Sequence, residues 1–314
     1  MRVINIDNLA QRPAPCVATI GFFDGVHLGH RFLIRHVVEE AAADGIASTL
    51  ITFDCHPRQV LQKGYAPKLI NTPKEKLRLL ALTGADNCMV LNFDLKLSQM
   101  PAYAFMKTVL KERLNVRKLF IGYDHRFGHG RSENFADYVR YGKELGITVL
   151  QSPAFAPEGL HFSSTAVRSA IEKGNFGLAN RLLGHPYTLS GRVVKGFQEG
   201  RKMGFPTANL SMESRTLLLP ANGVYAVKAH LQGHETPFQG MLNIGNRPTF
   251  GGESTSAEAN IFGFNGNLYG QEVRLDVHQR IREEVRFNSP EALAAQLQRD
   301  KAYVTDYFNQ AQQA

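Results

Sequence analysis

Short apolar runs alternate with amphipathic stretches through the first 151 residues of the chain. Runs of this length are typical of buried strands, and the stretches between them have the spacing of amphipathic helices. The predicted strands are CVATIG (16–21), STLITF (48–53), NCMVLNF (87–93), KLFIG (118–122) and ITVLQ (147–151), and the predicted helices cover 29–43, 74–84, 103–114 and 134–146. This order predicts an α/β domain with a Rossmann-like parallel sheet, in which ligands bind at the carboxyl ends of the strands.

Beyond residue 185 the pattern changes to strands separated by glycine and proline. The predicted strands are 187–196, 223–233, 238–245, 259–264 and 271–281, which fit a compact antiparallel barrel or sandwich. A terminal helix is predicted after Ser289, because Pro290 and Glu291 suit a first turn and Leu293, Leu297, Val304 and Phe308 follow on one face. A length of 314 residues accommodates two domains, which we place at 1–185 and 186–314.

The charge of the chain favours anionic partners. It carries 36 basic and 28 acidic side chains, for a formal net charge of +8, and residues 1–185 hold 23 of the basic and 16 of the acidic ones. Such a balance suits nucleotides, nucleic acid or a membrane surface. The basic residues are dispersed, however, with no basic run or stacking motif of the kind that nucleic-acid-binding proteins use.

The cysteines and the apolar stretches predict a cytoplasmic protein. Cys16, Cys55 and Cys88 are far apart and odd in number, which excludes a disulfide framework, and no C-x-x-C pair offers a zinc or redox site. The sequence MRVINIDNLAQRPAP lacks the apolar core of a signal peptide, and no stretch approaches 18 uninterrupted apolar residues. We expect neither secretion nor a membrane span.

The first predicted strand leads into TIGFFDGVHLGH, a strand-to-helix turn that suits a polyphosphate. Glycines let the backbone approach phosphate oxygens, the helix dipole favours negative charge, and two imidazoles add donors on one face. The candidate phosphate-binding residues are Gly21, Asp24, Gly25 and Gly29, with His27 and His30 as candidate catalytic residues. The alternatives are an ordinary turn with two surface histidines, or part of a zinc site.

Two later segments could complete this site. HFSSTAVR places the hydroxyls of Ser163, Ser164 and Thr165 at the start of a helix, with Arg168 within the first turn. This arrangement suits a triphosphate, and a helix cap without a ligand is the alternative. The loop IGYDHRFGHGR follows a predicted strand and combines charged side chains with an aromatic ring. This combination suits a ligand in which a phosphate is joined to a planar ring, and a solvated surface loop is the alternative. The candidate residues for such a ligand are Asp124, Arg126 and Phe127 in this loop and His56 in the loop TFDCHP.

The second half has its own phosphate-like stretch, GRVVKGFQEGRKMGFPTANL. Glycines including Gly200 and Gly204 flank cations at 201 and 202, and Thr207 and Asn209 supply hard oxygen atoms suited to Mg²⁺. The motif is not a Walker A sequence, because the Gly-Lys-Ser/Thr triplet is missing. A cluster of β-turns closed locally by Thr and Asn is the alternative.

Taken together, these motifs resemble the prokaryotic bifunctional riboflavin kinase/FMN adenylyltransferase (FAD synthetase) family. The motifs that carry the resemblance occur in the family's order over nearly the whole chain: GFFDGVHLGH, GYDHRFGHGR, SSTAVR, GRKMGFPTANL, NIGNRPTF, Glu258, LYG and IREEVRFNSPEAL. The resemblance implies an N-terminal nucleotidyltransferase domain that transfers AMP from ATP to FMN, giving FAD and pyrophosphate. It also implies a C-terminal β-barrel with a terminal helix that transfers the γ-phosphate of ATP to the ribityl 5′-hydroxyl of riboflavin.

The resemblance also assigns roles to residues. His27, His30, Ser163, Ser164, Thr165 and Arg168 match positions that hold ATP phosphates, Thr207 and Asn209 match the Mg²⁺/ATP positions, and Glu258 matches the general base. Asp124 matches a position in the family's strand-end loop, and with a flavin as the substrate the expected flavin-binding residues are His56, Asp124, Arg126 and Phe127. It implies ATP as co-substrate, Mg²⁺ as cofactor, and FMN and FAD as products rather than permanent cofactors. Riboflavin, FMN and ATP are the expected partners, without nucleic acid or membrane, and self-association is left open. A chain with only one of the two activities, or a basic nucleic-acid-binding protein, is the alternative.

Overall fold

The computed structural model describes residues 1–62, 64, 67–196, 200, 204–212, 214, 216–249 and 252–310. The chain divides into two compact units, Met1–Ser164 and Thr165–Ala314. The cations predicted at 201 and 202 lie outside the described residues. No helix in the described part of the chain is both long and apolar enough to cross a membrane.

The first unit is built on a six-stranded, all-parallel sheet with the strand order β1-β4-β3-β2-β5-β6. Its strands are β1 (Arg2–Asn5), β2 (Cys16–Ile20), β3 (Ala47–Phe53), β4 (Asn87–Leu91), β5 (Val116–Ile121) and β6 (Thr148–Gln151). Its helices are α1 (Leu28–Asp44), α2 (Pro57–Leu61), α3 (Pro73–Ala81), α4 (Leu95–Ser98), α5 (Ala102–Phe105) and α6 (Phe135–Leu145), with short 3₁₀ turns at Ile6–Asn8, His129–Arg131 and Pro157–Gly159.

The parallel sheet predicted from the alternating pattern is confirmed. All five residues of β2 are buried, as expected of a central strand that helices cover on both faces. Strand β1 is an addition that the pattern did not predict, because three of its four side chains are exposed at the sheet edge. The predicted helix 103–114 is also different: α5 ends at Phe105 and continues as a π-helix over Met106–Arg113.

The second unit contains a closed six-stranded barrel with the strand order β10-β11-β8-β7-β12-β9. Its strands are β7 (Tyr187–Val194), β8 (Ala208–Met212), β9 (Gly223–His230), β10 (Phe238–Thr249), β11 (Gly252–Ile261) and β12 (Glu272–Arg282), and its helices are α7 (Ser164–Glu172), α8 (Phe176–Leu183) and α9 (Pro290–Gln310). The closed barrel confirms the β-barrel that the family resemblance implied, and it excludes the sandwich that the strand pattern alone had left open. The barrel interior holds the inward side chains of alternating positions, among them Leu189, Val227 and Leu275, all fully buried.

The terminal helix packs as its sequence predicted. Val304 and Phe308 are buried in a cluster with Val224 and Met241 of the barrel strands, and Leu297 packs against the same cluster. The side chain of Asp300 is also buried on this face, which the apolar pattern did not indicate.

The two compact units meet in sequence at Ser164/Thr165, earlier than the predicted boundary at 185/186. The residues between these two positions pack on the barrel. The Asn180 side chain donates to the carbonyl oxygen of Val277 at 2.9 Å and accepts from the Tyr187 N–H at 2.8 Å. The Phe176 ring contacts the Tyr225 ring edge-on at 5.3 Å between centroids. Helical periodicity alone did not reveal that α7 and α8 pack on a barrel.

Candidate active sites

The carboxyl ends of three neighbouring strands bring the N-terminal candidate residues to one edge of the sheet. Strand β2 lies between β3 and β5, so the loops that follow these three strands share that edge. The loop after β2 carries His27, the loop after β3 carries His56, and the loop after β5 carries Asp124. These candidate residues therefore lie at the edge of the sheet where ligands of parallel-sheet domains bind.

His27 caps helix α1 with its own ring. Its Nδ1 accepts a hydrogen bond from the backbone N–H of His30 at 3.3 Å, so the proton of a neutral His27 ring is on Nε2. The two imidazoles stack with centroids 3.6 Å apart. A Cβ on Gly29 would lie 3.2 Å from the His27 ring, a tight contact that would displace the ring by a few tenths of an ångström. The pair is thus preorganised at the amino-terminal end of a 17-residue helix.

The turn before this helix is held in a strained conformation. Phe23 and Val26 have positive φ angles of 57° and 43°, and Gly25 has a φ of 84°. Positive φ is unfavourable for a β-branched residue such as valine. Phe23 and Val26 are 2% and 0% exposed, so their burial holds the loop in this shape. The sequence suggested that the glycines shape this turn, whereas two buried apolar residues share that task.

Asp24 occupies the centre of the turn. It is buried, and its Oδ1 accepts from the backbone N–H of Ile70 at 3.0 Å and of Asn71 at 3.4 Å. Its carbonyl oxygen accepts from the Ser164 hydroxyl at 2.9 Å. The carboxylate therefore holds the segment that leads into α3, and Ser164 joins the SSTAVR motif to the first turn. Thr165 and Arg168 belong to the second compact unit, so their role in ATP binding stays a prediction.

A third histidine, His125, lies close enough to influence His30, and the sequence analysis did not single it out. Burial lowers the pKa of His30 well below its ordinary value, with further lowering by His27, His125 and Lys76. Burial also lowers the pKa of His125 to about 4, and Arg131 acts in the same direction. The buried Nδ1 of His30 and Nε2 of His125 have no hydrogen-bond partner among the described residues. Both rings are therefore neutral at pH 7, and the position of His125 beside Asp124 in a strand-end loop was the available signal.

The predicted flavin-binding residues have different surroundings. Asp124 and Arg126 are exposed. Phe127 is buried in the hydrophobic core, where its ring stacks on Tyr138 with centroids 4.4 Å apart. This placement does not support the predicted contact between Phe127 and a flavin. The His56 ring meets Phe22 edge-on at 4.7 Å, and its Nδ1 accepts from the Arg58 N–H at 3.1 Å.

The barrel brings together Thr207, Asn209 and Glu258. Strands β8 and β11 pair so that Asn209 lies directly opposite Glu258. The Thr207 hydroxyl donates to Oε2 of Glu258 at 3.5 Å. A Cβ on Gly196 would lie 2.2 Å from the Asn209 amide, so glycine is needed there for Asn209 to keep its place. Gly200 is similarly restricted, since a Cβ would lie 2.3 Å from the Phe205 carbonyl oxygen, and Gly204 has a φ of 79°.

The donor set in the barrel suits Mg²⁺. A hydroxyl and an amide carbonyl are hard oxygen donors, and Mg²⁺ commonly takes few protein ligands while phosphates and water complete its shell. The described residues contain no group of three or more His, Cys, Asp or Glu side chains that could hold a metal by themselves. Thr207 and Asn209 would thus hold the ion together with nucleotide phosphates.

These two arrangements are typical of a class of protein that handles nucleotide phosphates, with one candidate site in each compact unit. One is a parallel sheet with stacked imidazoles at a helix start, and the other is a closed barrel with a Thr–Asn–Glu cluster. The sequence model of the FAD synthetase family matches residues 9–166, and the riboflavin kinase model matches residues 183–308. The chain belongs to the bifunctional riboflavin kinase/FMN adenylyltransferase family, which confirms the resemblance inferred from its motifs.

Relatives match over almost the whole chain. The protein named bifunctional riboflavin kinase/FMN adenylyltransferase in Escherichia coli (strain K12) is 38% identical over 304 residues, covering 96% of both chains. The protein of the same name in Bacillus subtilis (strain 168) is 33% identical over 320 residues, covering 98% of this chain and 99% of that one.

A solved structure has the same fold over its full length. It comes from Streptococcus pneumoniae, has a TM-score of 0.88 and 32% sequence identity, and covers 97% of this chain and 99% of that chain. The Streptococcus pneumoniae protein is described as a macrolide-efflux protein. That description differs from the names of the flavin enzymes at comparable identity, and the two family models agree with those enzymes.

Proposed function

We propose that this enzyme converts riboflavin to FMN at the barrel and FMN to FAD at the parallel sheet, with ATP as the co-substrate of both steps. The observation that carries the proposal is that both family models match this one chain. Each model covers a range that contains one of the two candidate sites. The assignment of each activity to one domain and the roles of individual residues are parts of the proposal.

Adenylyl transfer is an in-line displacement at phosphorus. A phosphate oxygen of FMN forms a bond to the α-phosphorus of ATP, the bond from that phosphorus to the bridging oxygen breaks, and pyrophosphate leaves. The Nε2–H of His27 and the neutral His30 ring donate hydrogen bonds to the phosphate oxygens, and the start of α1 adds backbone N–H groups and a favourable dipole. Because positioning and charge stabilisation supply most of the acceleration, no covalent nucleophile is needed. Cys55 is assigned no catalytic role; burial and the neighbouring Asp54 raise its thiol pKa to about 11.

Riboflavin phosphorylation uses the cluster in the barrel. Glu258 accepts the proton of the ribityl 5′-hydroxyl, whose oxygen attacks the γ-phosphorus of ATP as the bond to ADP breaks. Thr207 and Asn209 would hold Mg²⁺, which neutralises phosphate charge when it is bound. The Thr207 hydroxyl also orients Glu258, because it already donates to that carboxylate.

A product assay tests the two activities. Incubation of the chain with riboflavin, ATP and Mg²⁺, followed by chromatography, should yield FMN and then FAD. Supplying FMN in place of riboflavin isolates the second step. FAD from FMN without FMN from riboflavin would leave an adenylyltransferase alone, and the absence of both products would refute the proposal.

Glu258→Gln tests the assignment of the kinase to the barrel. The amide cannot accept the hydroxyl proton, so FMN formation from riboflavin should fall about 100-fold or more, while FAD formation from FMN stays at the wild-type rate. Glu283→Gln is the matched control, since the Glu283 side chain is 83% exposed. Equal loss of both activities in Glu258→Gln would contradict the assignment.

Two further parts of the proposal concern location and partners. We propose a cytoplasmic enzyme, which the supply of ATP and the three free cysteines support. The proposed partners are riboflavin, FMN and ATP. The described fold gives no support to a nucleic-acid-binding role. A salt-sensitive shift in the electrophoretic mobility of labelled RNA or DNA would support that role instead.

A further inference from the structure

Lys76 is a buried cation that neither the sequence analysis nor the proposed mechanism uses. It lies on α3 and is 5% exposed. Its Nζ donates to the Thr52 hydroxyl at 3.2 Å and to the carbonyl oxygen of Phe53 at 3.0 Å. Lysine is rarely buried to this degree, because removing an ammonium group from water is costly. A neutral side chain could fill the same space without this desolvation cost, so the presence of a charged group needs an explanation.

The ammonium group connects two of the loops at the carboxyl edge of the sheet. Thr52 and Phe53 end β3, and the ring of Phe22, in the loop after β2, has its centroid 4.1 Å from Nζ. The Thr52 hydroxyl donates in turn to the carbonyl oxygen of Phe22 at 3.3 Å. On the other side, the Phe22 ring meets His56 edge-on. Lys76 therefore holds the loop after β2 against the end of β3, and the Phe22–His56 contact links it to the loop after β3, at the edge where the substrates of adenylyl transfer are expected.

The groups that interact electrostatically with Lys76 come from four parts of the unit. They are Asp24 after β2, Asp54 and Cys55 after β3, Cys88 in β4 and His30 in α1. Burial lowers the pKa of Lys76 to about 8, and the two carboxylates and two thiols oppose that lowering. The amine is therefore mostly charged at pH 7 and loses its charge above pH 8. Its charge reaches His30, whose pKa it lowers.

We propose that Lys76 is a positioning residue for adenylyl transfer, which fixes the loops after β2 and β3 and places a positive charge behind the phosphate-binding edge. The inference rests on the proposed adenylyltransferase activity. Phe22 lies over the ammonium group, so Lys76 acts through the loops and through its field rather than by touching substrate. In a site of low dielectric, a fixed charge of this kind favours the triphosphate and the negative charge that develops at the α-phosphorus.

Two substitutions with a matched control test this role. Lys76→Met keeps the length of the side chain and removes the charge, whereas Lys76→Arg keeps the charge at all pH values used. Lys74→Met is the control, because Lys74 is exposed on the same helix. The rate of FAD formation from FMN and ATP is measured from pH 6.5 to 9.5, with riboflavin phosphorylation measured in the same preparations.

We expect Lys76→Met to lower kcat of adenylyl transfer about tenfold or more at pH 7, as misplaced reacting groups commonly do. The wild-type kcat should fall as the pH rises above 8, and this fall should be absent in Lys76→Arg. Riboflavin phosphorylation should be unchanged in all variants, and Lys74→Met should behave as wild type. A purely structural lysine would change stability without altering the pH profile.

Three results would overturn the inference: a wild-type kcat in Lys76→Met, a Lys76→Met profile that retains the wild-type fall above pH 8, or a Lys76→Arg profile that retains it. If Lys76→Met does not fold, the pH profile of Lys76→Arg compared with that of the wild type tests the inference. A wild-type chain that makes no FAD from FMN would instead refute the proposed function, so the two failures are distinguishable.

Discussion

At the scale of single residues, the N-terminal candidate site contains two imidazoles, those of His30 and His125, that burial keeps neutral. His27 is fixed because its Nδ1 accepts a hydrogen bond from the N–H of His30, and the pKa of His30 is lowered by burial and by electrostatic interaction with His27, His125 and Lys76. A neutral ring donates one hydrogen bond from a defined nitrogen, which suits an oxygen that gains charge in the transition state. The sequence predicted the His27–His30 pair from its spacing, but it could not predict His125, because that contact joins loops from different strands.

His30→Ala should lower the rate of FAD formation from FMN by about 100-fold or more, because it removes a preorganised donor from the site of charge development. Riboflavin phosphorylation should remain at the wild-type rate. His36→Ala is the matched control, since His36 lies on the same helix and its Nδ1 contacts the Phe32 carbonyl oxygen one turn away. Initial rates with FMN and with riboflavin measure both effects. Unchanged adenylyl transfer would remove His30 from the site.

At the scale of secondary-structure elements, helix α9 combines an apolar face with a buried ion pair. The Arg282 guanidinium in β12 donates to both carboxylate oxygens of Asp300 at 2.8–3.1 Å, and their side chains are 19% and 5% exposed. Gln296 donates to the same carboxylate at 2.8 Å. The pair fixes the register of α9 on the barrel, whereas apolar periodicity predicted only which face of the helix is buried.

Asp300→Ala should lower the free energy of unfolding of the barrel unit by about 3 kcal/mol, because it leaves the Arg282 charge without its partner. Urea unfolding, with riboflavin phosphorylation reporting on the barrel, measures the change. Asp306→Ala on the exposed side of the same helix should have little effect. The double variant Arg282→Met/Asp300→Leu should recover part of the loss, and a double variant as unstable as Asp300→Ala would show that the unpaired charge is not the cause.

At the scale of the whole molecule, each compact unit contains a histidine that folding keeps neutral. Burial lowers the pKa of His125 in the first unit to about 4 and that of His278 in the second unit to about 4, with Lys228 acting in the same direction on His278. Nε2 of His278 is buried without a hydrogen-bond partner among the described residues. Its ring meets Phe308 of α9 edge-on at 5.0 Å.

Both units should therefore lose stability in acid. The unfolded chain binds a proton at each histidine near pH 6.5, whereas the folded chain does so only near pH 4, so stability is complete above pH 6.5 and falls as the pH drops toward 4. Each histidine contributes up to about 3 kcal/mol to that loss. Thermal unfolding from pH 7.5 to 4.5 should show a shallower loss in His125→Phe and in His278→Leu. His161→Phe, at an exposed position, is the control, and equal slopes in all variants would contradict the assignment.

The sequence by itself determined the two fold classes, the family and most of the candidate site residues. These features depend on local signals: strand and helix periods, glycines at turns, and side chains at fixed spacing such as His27 and His30. The pairing of Glu258 with Thr207 and Asn209 was available only through the family resemblance, since Glu258 is distant in sequence from the other two.

The tertiary structure alone decided the features that depend on contacts between distant segments. The packing of α7 and α8 on the barrel, the burial of Phe127, and the positions of Lys76, His125 and Asp300 all belong to this group. Burial and electrostatic energy arise between elements, and a side chain of the same type is solvated or buried according to what packs over it. For this reason the spacing of residues identified His27 and His30 as candidates, but the fold set the neutral state of His30.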